Sequence, residues 1–150
     1  MSQLVCKECI LFDIDAKHKE DVLLALIEKL KEQHKITSVD EFYKDVVERE
    51  KISPTAIGFN IGLPHGRTEN VLESAICFGR LRQEIIWNEE TKEKVNIIIL
   101  IAVPSNDSEG THMKILSGLA RKLMHKEYRD LLISSNQDEV YDLLNQGLEE

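Results

Sequence analysis

The sequence has little of what builds linkers, disulfide frameworks or membrane spans. Only three prolines and seven glycines interrupt its 150 residues, so we expect one undivided domain over residues 1–150. Three cysteines are an odd number, which does not suit a secreted disulfide framework. The longest apolar run, Val95 to Val103, is interrupted by Asn96 and is far shorter than the roughly 18 residues that a membrane helix needs.

Basic residues are also too few for a surface that binds nucleic acid or an anionic membrane. The chain carries 19 lysines and arginines against 27 aspartates and glutamates, a net charge of −8. This charge opposes approach to a phosphate polyanion or to an anionic bilayer. The first residues show no basic start followed by an apolar stretch, so we expect no secretory signal. We therefore expect a cytoplasmic protein that does not bind nucleic acid or insert into a membrane.

The first third of the chain predicts one strand and two helices. Ile10–Ile14 favours a short strand, and apolar residues at helical spacing predict a helix over residues 18–33. Ser38 and Glu41 have the spacing of a capping box, in which each side chain serves the other's backbone N–H. A second helix should begin there and end near Lys51.

The middle of the chain favours strands. Ile57–Phe59 is too short and too glycine-flanked for a helix, while Ala75–Leu81 and Ile85–Trp87 carry strand-forming residues around an expected turn. The charged block Glu89–Lys94 is expected to be a hairpin tip in water. Val95–Val103 is nearly continuous in β-branched residues, which is typical of a central strand covered by helices on both faces.

The last third favours helices again. A third helix should follow a polar loop at Ser105–Gly110, beginning at Thr111. Its expected buried stripe consists of Met113, Leu116, Ala120, Leu123 and Met124. Tyr128–Leu132 favours a short helix, and Asn136-x-x-Glu139 opens a last helix that is buried through Val140, Leu143 and Leu144. The whole pattern predicts an α/β fold: a mixed, mostly parallel sheet with a β-hairpin, flanked by helices on both faces.

One irregular segment, Gly58–Gly66, has the features of a functional loop at a strand end. It holds one histidine, His65, next to Pro64 and between Gly62 and Gly66, which allow close approach of another molecule. A neutral imidazole is a nucleophile near neutral pH when its second nitrogen keeps its proton. The alternative is a turn histidine without a reactive role, since short motifs without structural context often mislead.

Two other residues have the chemistry to serve an anion. His112 lies at a predicted helix N-terminus, where the helix dipole attracts anions, and it suits a hydrogen bond to phosphate. Its alternative role is a solvent-facing or capping side chain. Arg49 lies at the close of the second helix and its planar fork suits an anion, although arginine in a last helical turn commonly serves only the dipole.

The cysteines and the remaining histidines give no clear site. Cys6 and Cys9 have the CxxC spacing of zinc and redox motifs, but no second Cys or His pair follows at ligand spacing. Cys77, within an apolar strand, is expected to be a small buried hydrophobe. Three histidines are expected to be solvated on helix surfaces: His18, His34 and His125. We therefore expect no metal and no cofactor.

Several pieces of the chain, spread over most of its length, carry a known family pattern. In order, they are Arg49-Glu50 followed by Ser53–Gly58, Gly62–His65, Ile85–Trp87, Ala102–Pro104 and His112-Met113-x-x-Leu116. With this order and spacing the sequence resembles the enzyme IIA domain of the bacterial sugar phosphotransferase system, fructose/mannitol type. That group includes nitrogen-regulatory relatives.

The resemblance implies a phosphoryl carrier. His65 would accept a phosphoryl group from the histidine phosphocarrier protein, as a tele-phosphohistidine, and pass it to a cysteine of a IIB component of a sugar permease. Arg49 would offset the phosphoryl charge and His112 would donate a hydrogen bond to an oxygen. Such transfer needs mainly in-line positioning and charge stabilisation. We expect a shallow surface depression with an apolar rim, contacted through Ile61 and Leu63.

Two departures from the family pattern blur the subfamily but leave transfer intact. Gly62-Leu63 stands where Ala-Ile is usual, and Glu84 stands where glycine is common. One alternative function is a regulatory protein of the same fold, whose His65 phosphorylation state controls a protein partner. Another is a metal-dependent hydrolase using His65 and His112, against which stands the lack of an HxxxH or HxD/E cluster. We expect a monomer or weak dimer.

Overall fold

A computed structural model of the chain describes residues 4–106 and 110–146, and only the backbone at Thr111 and His112. The elements, in chain order, are β1 (Val5–Ile14), α1 (Lys19–Glu32), α2 (Val39–Ile52), β2 (Ile61–Gly62), β3 (His65–Thr68), β4 (Ala75–Asn88), β5 (Glu93–Pro104), α3 (Thr111–Leu123), α4 (Lys126–Ser134) and α5 (Gln137–Asn145). In the described ranges no helix is both long enough and apolar enough to cross a membrane.

Strand β5 is the centre of the sheet. It pairs antiparallel with β4, and β4 pairs parallel with β1 on its far side. The other side of β5 pairs parallel with both β2 and β3. The predicted mixed, mostly parallel sheet is therefore confirmed, and so is the hairpin of β4 and β5, whose tip is the turn at residues 89–92.

Helices cover both faces of this sheet, as predicted. Ile98, Leu100 and Ala102 of β5 belong to the core that α1 and α2 complete. Ile97, Ile99, Ile101 and Val103 belong to the core that α3, α4 and α5 complete. Because successive strand residues point to opposite faces, a strand buried on both sides must be apolar at nearly every position.

Most helix predictions are confirmed, with the start signal complete at α5 and present in one of its two bonds at α2. Ser38 Oγ accepts a hydrogen bond from the Glu41 backbone N–H at 3.3 Å, which is the first of the two bonds of the expected capping box. At the start of α5 both bonds of the box form between Asn136 and Glu139. The first strand is longer than predicted, because it begins at Val5 and so includes both cysteines of the CxxC motif.

The predicted strand at Ile57–Phe59 is wrong. These residues lead into a tight turn in which the Ile61 N–H donates to the Gly58 carbonyl oxygen at 3.1 Å. Phe59 and Asn60 occupy the turn with φ of 58° and 63°, the left-handed conformation that a two-residue turn of this hand requires. The strand begins only at Ile61, so β-forming side chains at positions 57 and 59 gave a false signal.

The turn expected between Leu81 and Ile85 is also wrong. Strand β4 continues through these residues, and only its register with β5 shifts between Arg80 and Ile85. The intervening residues are exposed, three in succession, as a bulge in an antiparallel pair permits. A polar interruption of a strand therefore reflects exposure here and not a change of direction.

The buried stripe predicted for α3 is partly wrong. Ile115, Leu119 and Leu123 are buried, at the spacing of successive helical turns. Met113 and Met124 are 64% and 76% exposed. Ala120, also predicted to be buried, is exposed, so the exposed residues are those that lie off the line of the three buried residues around the helix.

Candidate functional site

His65 is the first residue of β3 and is held by the central strand. It pairs with Ile101 of β5, and the carbonyl oxygen of Pro64 accepts a hydrogen bond from the Ile101 N–H at 3.0 Å. Its backbone is therefore part of the sheet ladder and not of a turn, and its reactive role stays a prediction. Strand pairing and the preceding proline together restrict the backbone conformation from which the imidazole projects.

A hydrogen bond defines the tautomer of this imidazole. Its Nδ1 lies 2.9 Å from the carbonyl oxygen of Leu63. Because a carbonyl oxygen only accepts, Nδ1 carries the proton and donates it, and in the neutral ring the lone pair is then on Nε2. The side chain is half-buried. This is the protonation pattern that a nucleophilic Nε2 requires.

Strand alternation places His65 on the α3 face of the sheet. A Cβ at Gly66 would lie 3.0 Å from Phe42 Cε1, so α2 closes that face of β3 tightly. The neighbours of Gly66 in the strand, His65 and Arg67, point to the other face. Their partners in β5, Ile101 and Val103, belong to the core that contains α3.

His65 lines a surface depression of about 240 Å³. Its walls come from α2 and β3, namely Asp45, Arg49, His65, Gly66, Arg67 and Thr68. The structure thus brings together two of the three predicted site residues, His65 and Arg49. It adds a second arginine and a carboxylate that the sequence analysis missed.

Arg49 joins the end of α2 to the site. Its Nη1 donates to the carbonyl oxygen of Ser53 at 2.9 Å, just beyond the last helical turn. Arg49 therefore interacts with the C-terminal end of its own helix, as expected of an arginine in the last turn. A guanidinium has five N–H donors in a planar fork, so this bond leaves the group able to face an anion in the depression as well.

Arg67 and Asp45 form the rest of the polar wall. Arg67 is exposed, and its Nη2 donates to the Ser105 carbonyl oxygen at 3.3 Å. Asp45 accepts a hydrogen bond from the Asn70 side-chain amide at 2.7 Å. Both residues had a usable signal in the sequence: Arg67 is two residues after His65 on a strand, and Asp45 is four residues before Arg49 on a helix.

His112 lies in the first turn of α3, and its side chain is outside the described part of the structure. The helix packs on the same face of the sheet as His65, through Ile115 and Leu119. The backbone therefore places the start of α3 on the face to which His65 points. The predicted role of His112 stays a prediction.

The apolar rim expected around His65 is wrong. Ile61 and Leu63 are only 1% and 5% exposed and belong to the core beneath β3. The residues that line the depression are polar or charged, apart from Gly66, and neither Ile61 nor Leu63 is among them. Exposed apolar side chains occur instead along the segment that leaves α2, at Ile52, Ile57 and Phe59.

The cysteines form no second site. All three are free thiols, with Cys6 half-buried and the other two buried. Burial raises the pKa of Cys77 well above its ordinary value, so this residue is the small hydrophobe that was predicted. Within residues 4–106 and 110–146, apart from the undescribed side chains, no group of three His, Cys, Asp or Glu residues could hold a metal ion.

The site is thus an imidazole of defined tautomer and two arginines that line one depression, at a strand of a mixed α/β sheet. The model of the family described as phosphoenolpyruvate-dependent sugar phosphotransferase system, EIIA 2, matches residues 3–147. The chain belongs to this family, which confirms the resemblance seen in the sequence. Members act as phosphotransferases in the phosphoryl relay of fructose- and mannitol-type sugar systems.

Of two curated relatives, one is about as long as this chain and the other is much longer. The chain is 33% identical over 140 residues to the PTS system fructose-like EIIA component of Escherichia coli, covering 93% of this chain and 94% of that protein. It is 29% identical over 147 residues to the PTS system 2-O-alpha-mannosyl-D-glycerate-specific EIIABC component of the same species, covering 97% of this chain. The chain spans only 22% of that second relative.

Solved structures show the same fold. Nitrogen regulatory protein IIA-Ntr from Neisseria meningitidis is similar with a TM-score of 0.85 and 27% identity, covering 94% of this chain and 96% of that one. The complex of enzyme IIAMTL with phosphorylated enzyme IIBMTL from Escherichia coli is similar with a TM-score of 0.78 and 25% identity. There the match covers 91% of this chain and 94% of that one.

Proposed function

We propose that this chain carries a phosphoryl group on His65 during sugar uptake, accepting it from the histidine phosphocarrier protein and passing it to a cysteine of a IIB component. The observation that carries the proposal is the hydrogen bond from Nδ1 of His65 to the Leu63 carbonyl oxygen, at 2.9 Å. With the proton on Nδ1, Nε2 would be the nucleophilic nitrogen. The proposal is also supported by the depression that His65 lines together with two arginines.

The transfer is a pair of in-line displacements. Nε2 of His65 forms a bond to phosphorus while the bond from phosphorus to the donor histidine breaks, and the donor takes back the electron pair. The Nδ1 proton stays on its hydrogen bond to Leu63, which favours the positive charge that the ring gains. A cysteine thiolate of IIB then attacks phosphorus, and the electron pair of the N–P bond returns to Nε2. The loose transition state asks for charge stabilisation more than for covalent help.

Arg49 and Arg67 supply that stabilisation in our proposal. Both line the depression around His65, one from α2 and the other from β3. Their planar donor forks suit phosphoryl oxygens. We assign His112 the donation of a hydrogen bond to one of these oxygens, which the position of its backbone at the start of α3 supports.

The partners follow from the relatives. A IIB acceptor is supported by the solved complex of a mannitol IIA protein with phosphorylated IIB. The cytoplasm is where such a carrier would meet both partners, and we propose that it acts there as one domain, residues 1–150, and as a monomer or weak dimer. A regulatory role, in which the His65 phosphorylation state controls another protein, is a second candidate, favoured by the likeness to a nitrogen regulatory IIA.

The proposal is tested with labelled phosphoenolpyruvate and the phosphocarrier system. We expect the wild type to take up acid-labile label, His65→Ala to take up none, and His125→Ala, which alters an exposed histidine just before α4, to behave as the wild type. Labelling of His65→Ala at the wild-type level would overturn the assignment. Loss of label to a purified IIB component supports the transport role, while label that no IIB removes favours the regulatory one.

A further inference from the structure

Glu50 is a buried residue next to the site, and its carboxylate has no role in the proposed transfer. It follows Arg49 in α2, yet it points into the interior and is only 2% exposed. A buried carboxylate is retained only where hydrogen bonds or opposite charges compensate its desolvation. The positions of those compensating groups therefore indicate what Glu50 holds in place.

The Glu50 carboxylate has two partners, Thr55 and Lys19. Thr55 donates to the carboxylate twice, from its backbone N–H at 3.3 Å and from its hydroxyl. Lys19 of α1 lies with Nζ 3.5 Å from the carboxylate and donates to the Trp87 carbonyl oxygen at 3.1 Å. Thr55 is itself buried, so the carboxylate fixes the segment after α2 from inside the protein.

From Thr55 a short chain of hydrogen bonds leads to the imidazole. The Thr55 carbonyl oxygen accepts from the Leu63 N–H at 3.0 Å, and the Leu63 carbonyl oxygen accepts from His65 Nδ1 at 2.9 Å. Leu63 thus uses its two backbone groups in opposite directions, one toward Thr55 and one toward the histidine. A displacement of Thr55 would move the carbonyl that selects the His65 tautomer.

The same segment also holds the cation of the site. Arg49 donates to the carbonyl oxygen of Ser53, two residues before Thr55. The 53–55 segment therefore bonds to Arg49 directly and to His65 through Leu63, and Glu50 is the side chain that holds this segment.

We infer that Glu50 is a positioning residue, whose hold on Thr55 keeps the His65 imidazole in its Nδ1–H tautomer and Arg49 beside it. The inference deepens the proposed function and rests on it for its kinetic consequence. Misplacement of a reacting group by about 1 Å costs on the order of a hundredfold in rate, so loss of the hold should slow phosphorylation without preventing donor binding.

The test uses Glu50→Gln, with Glu73→Gln as a control at another lysine–glutamate ion pair, Lys35–Glu73, whose carboxylate is 45% exposed where that of Glu50 is 2% exposed. We expect Glu50→Gln to lower the maximal rate of phosphorylation by about ten- to a hundredfold with little change in the KM for the phosphocarrier protein. Nitrogen NMR in mildly alkaline buffer should show loss of the single Nδ1–H tautomer of His65. Glu73→Gln should keep both rate and tautomer.

A second pair of variants decides the question if Glu50→Gln does not fold. Thr55→Val keeps the shape but removes the hydroxyl donor, while Thr55→Ser keeps it. We expect Thr55→Val to lose rate and tautomer purity, and Thr55→Ser to retain both. Folded variants with wild-type rate and tautomer, or with a slowed rate and an unchanged tautomer, would overturn the inference. The tautomer measurement needs no phosphoryl transfer, so it separates this failure from failure of the proposed function.

Discussion

Gly62 lies directly against the indole of Trp87. A Cβ placed on Gly62 would be 3.3 Å from Cε2 of that ring, closer than ordinary van der Waals contact allows. Trp87 is 1% exposed and its ring also lies beneath Lys19 Nζ, 5.5 Å from the ring centroid, so it has little room to move. The contact gives a physical reason for glycine at a position where the family usually has alanine.

We therefore predict that Gly62→Ala lowers the free energy of unfolding by about 1 kcal/mol, since overpacking of a dense core outweighs the gain from a less flexible unfolded chain. Urea denaturation measures the change. Trp87→Phe supplies the control, because a smaller ring makes room for the methyl group. In that background Gly62→Ala should be neutral or stabilising. An equal loss of unfolding free energy in both backgrounds would show that contact with Trp87 is not what disfavours alanine at position 62.

Features that depend on residues close together in the chain were predicted correctly from the sequence. The β-branched run of β5 and the Asn136–Glu139 capping box each depend on neighbours in the chain, and both were found as expected. His65 and Arg49 were candidates from their residue types and positions, the family pattern gave them a shared role, and they line one depression.

Features that depend on distant contacts were missed. The left-handed Phe59 turn was taken for a strand, because apolar residues rarely occupy that conformation and nothing nearby in sequence indicates the Arg129 guanidinium, 3.7 Å from the Phe59 ring centroid. The burial of Glu50 depends on Lys19, which lies on another helix. Ile61 and Leu63 were placed at the surface, because their burial is decided by helices that follow much later in the chain.

Tyr128 should make the protein lose stability in alkali. Its hydroxyl donates to the Leu143 carbonyl oxygen at 2.9 Å, and burial raises the pKa of Tyr128 to about 12 from an ordinary value of 10.0. Below pH 10 both the folded and unfolded states hold the proton. Between about pH 10 and 12 only the folded state holds it, so this residue's contribution to the unfolding free energy falls by about 2 to 3 kcal/mol.

The variant Tyr128→Phe isolates this contribution because it has no phenolic proton to lose. Urea denaturation at several pH values should show that the stability advantage of the wild type over the variant shrinks as the pH rises through that window. Curves that stay parallel would mean that the hydroxyl titrates alike in the folded and unfolded states.

Lys92 at the hairpin tip is held in the left-handed region, with φ of 63°. Its ammonium lies 3.6 Å from the Glu89 carboxylate, but both side chains are exposed and such a pair contributes little. We predict that Lys92→Gly raises the free energy of unfolding by about 0.5 kcal/mol, because glycine adopts this conformation without a steric cost. Lys92→Ala is the control: it removes the same ion pair and keeps the strained conformation, so it should bring no gain in a thermal melt.

Arg67 should tune how strongly the chain retains its phosphoryl group. It lines the depression with His65 but is exposed, so its attraction for the phosphoryl oxygens is screened by solvent and salt. We predict that Arg67→Gln shifts the equilibrium of phosphoryl exchange toward the phosphocarrier protein by about three- to tenfold, as expected when one exposed charge-assisted contact is lost.

The shift is measured from the labelled fractions of the two proteins at equilibrium, in low and high salt. Because salt screens Arg67 in the wild type, the difference between wild type and Arg67→Gln should become smaller as salt is added. Arg82→Gln is the matched control, since Arg82 is also an exposed strand arginine but pairs with Asp13 on β1, far from β3 in the strand order. An equal shift in both variants would point to net charge, and no shift in Arg67→Gln would leave Arg49 as the arginine that holds the phosphoryl group.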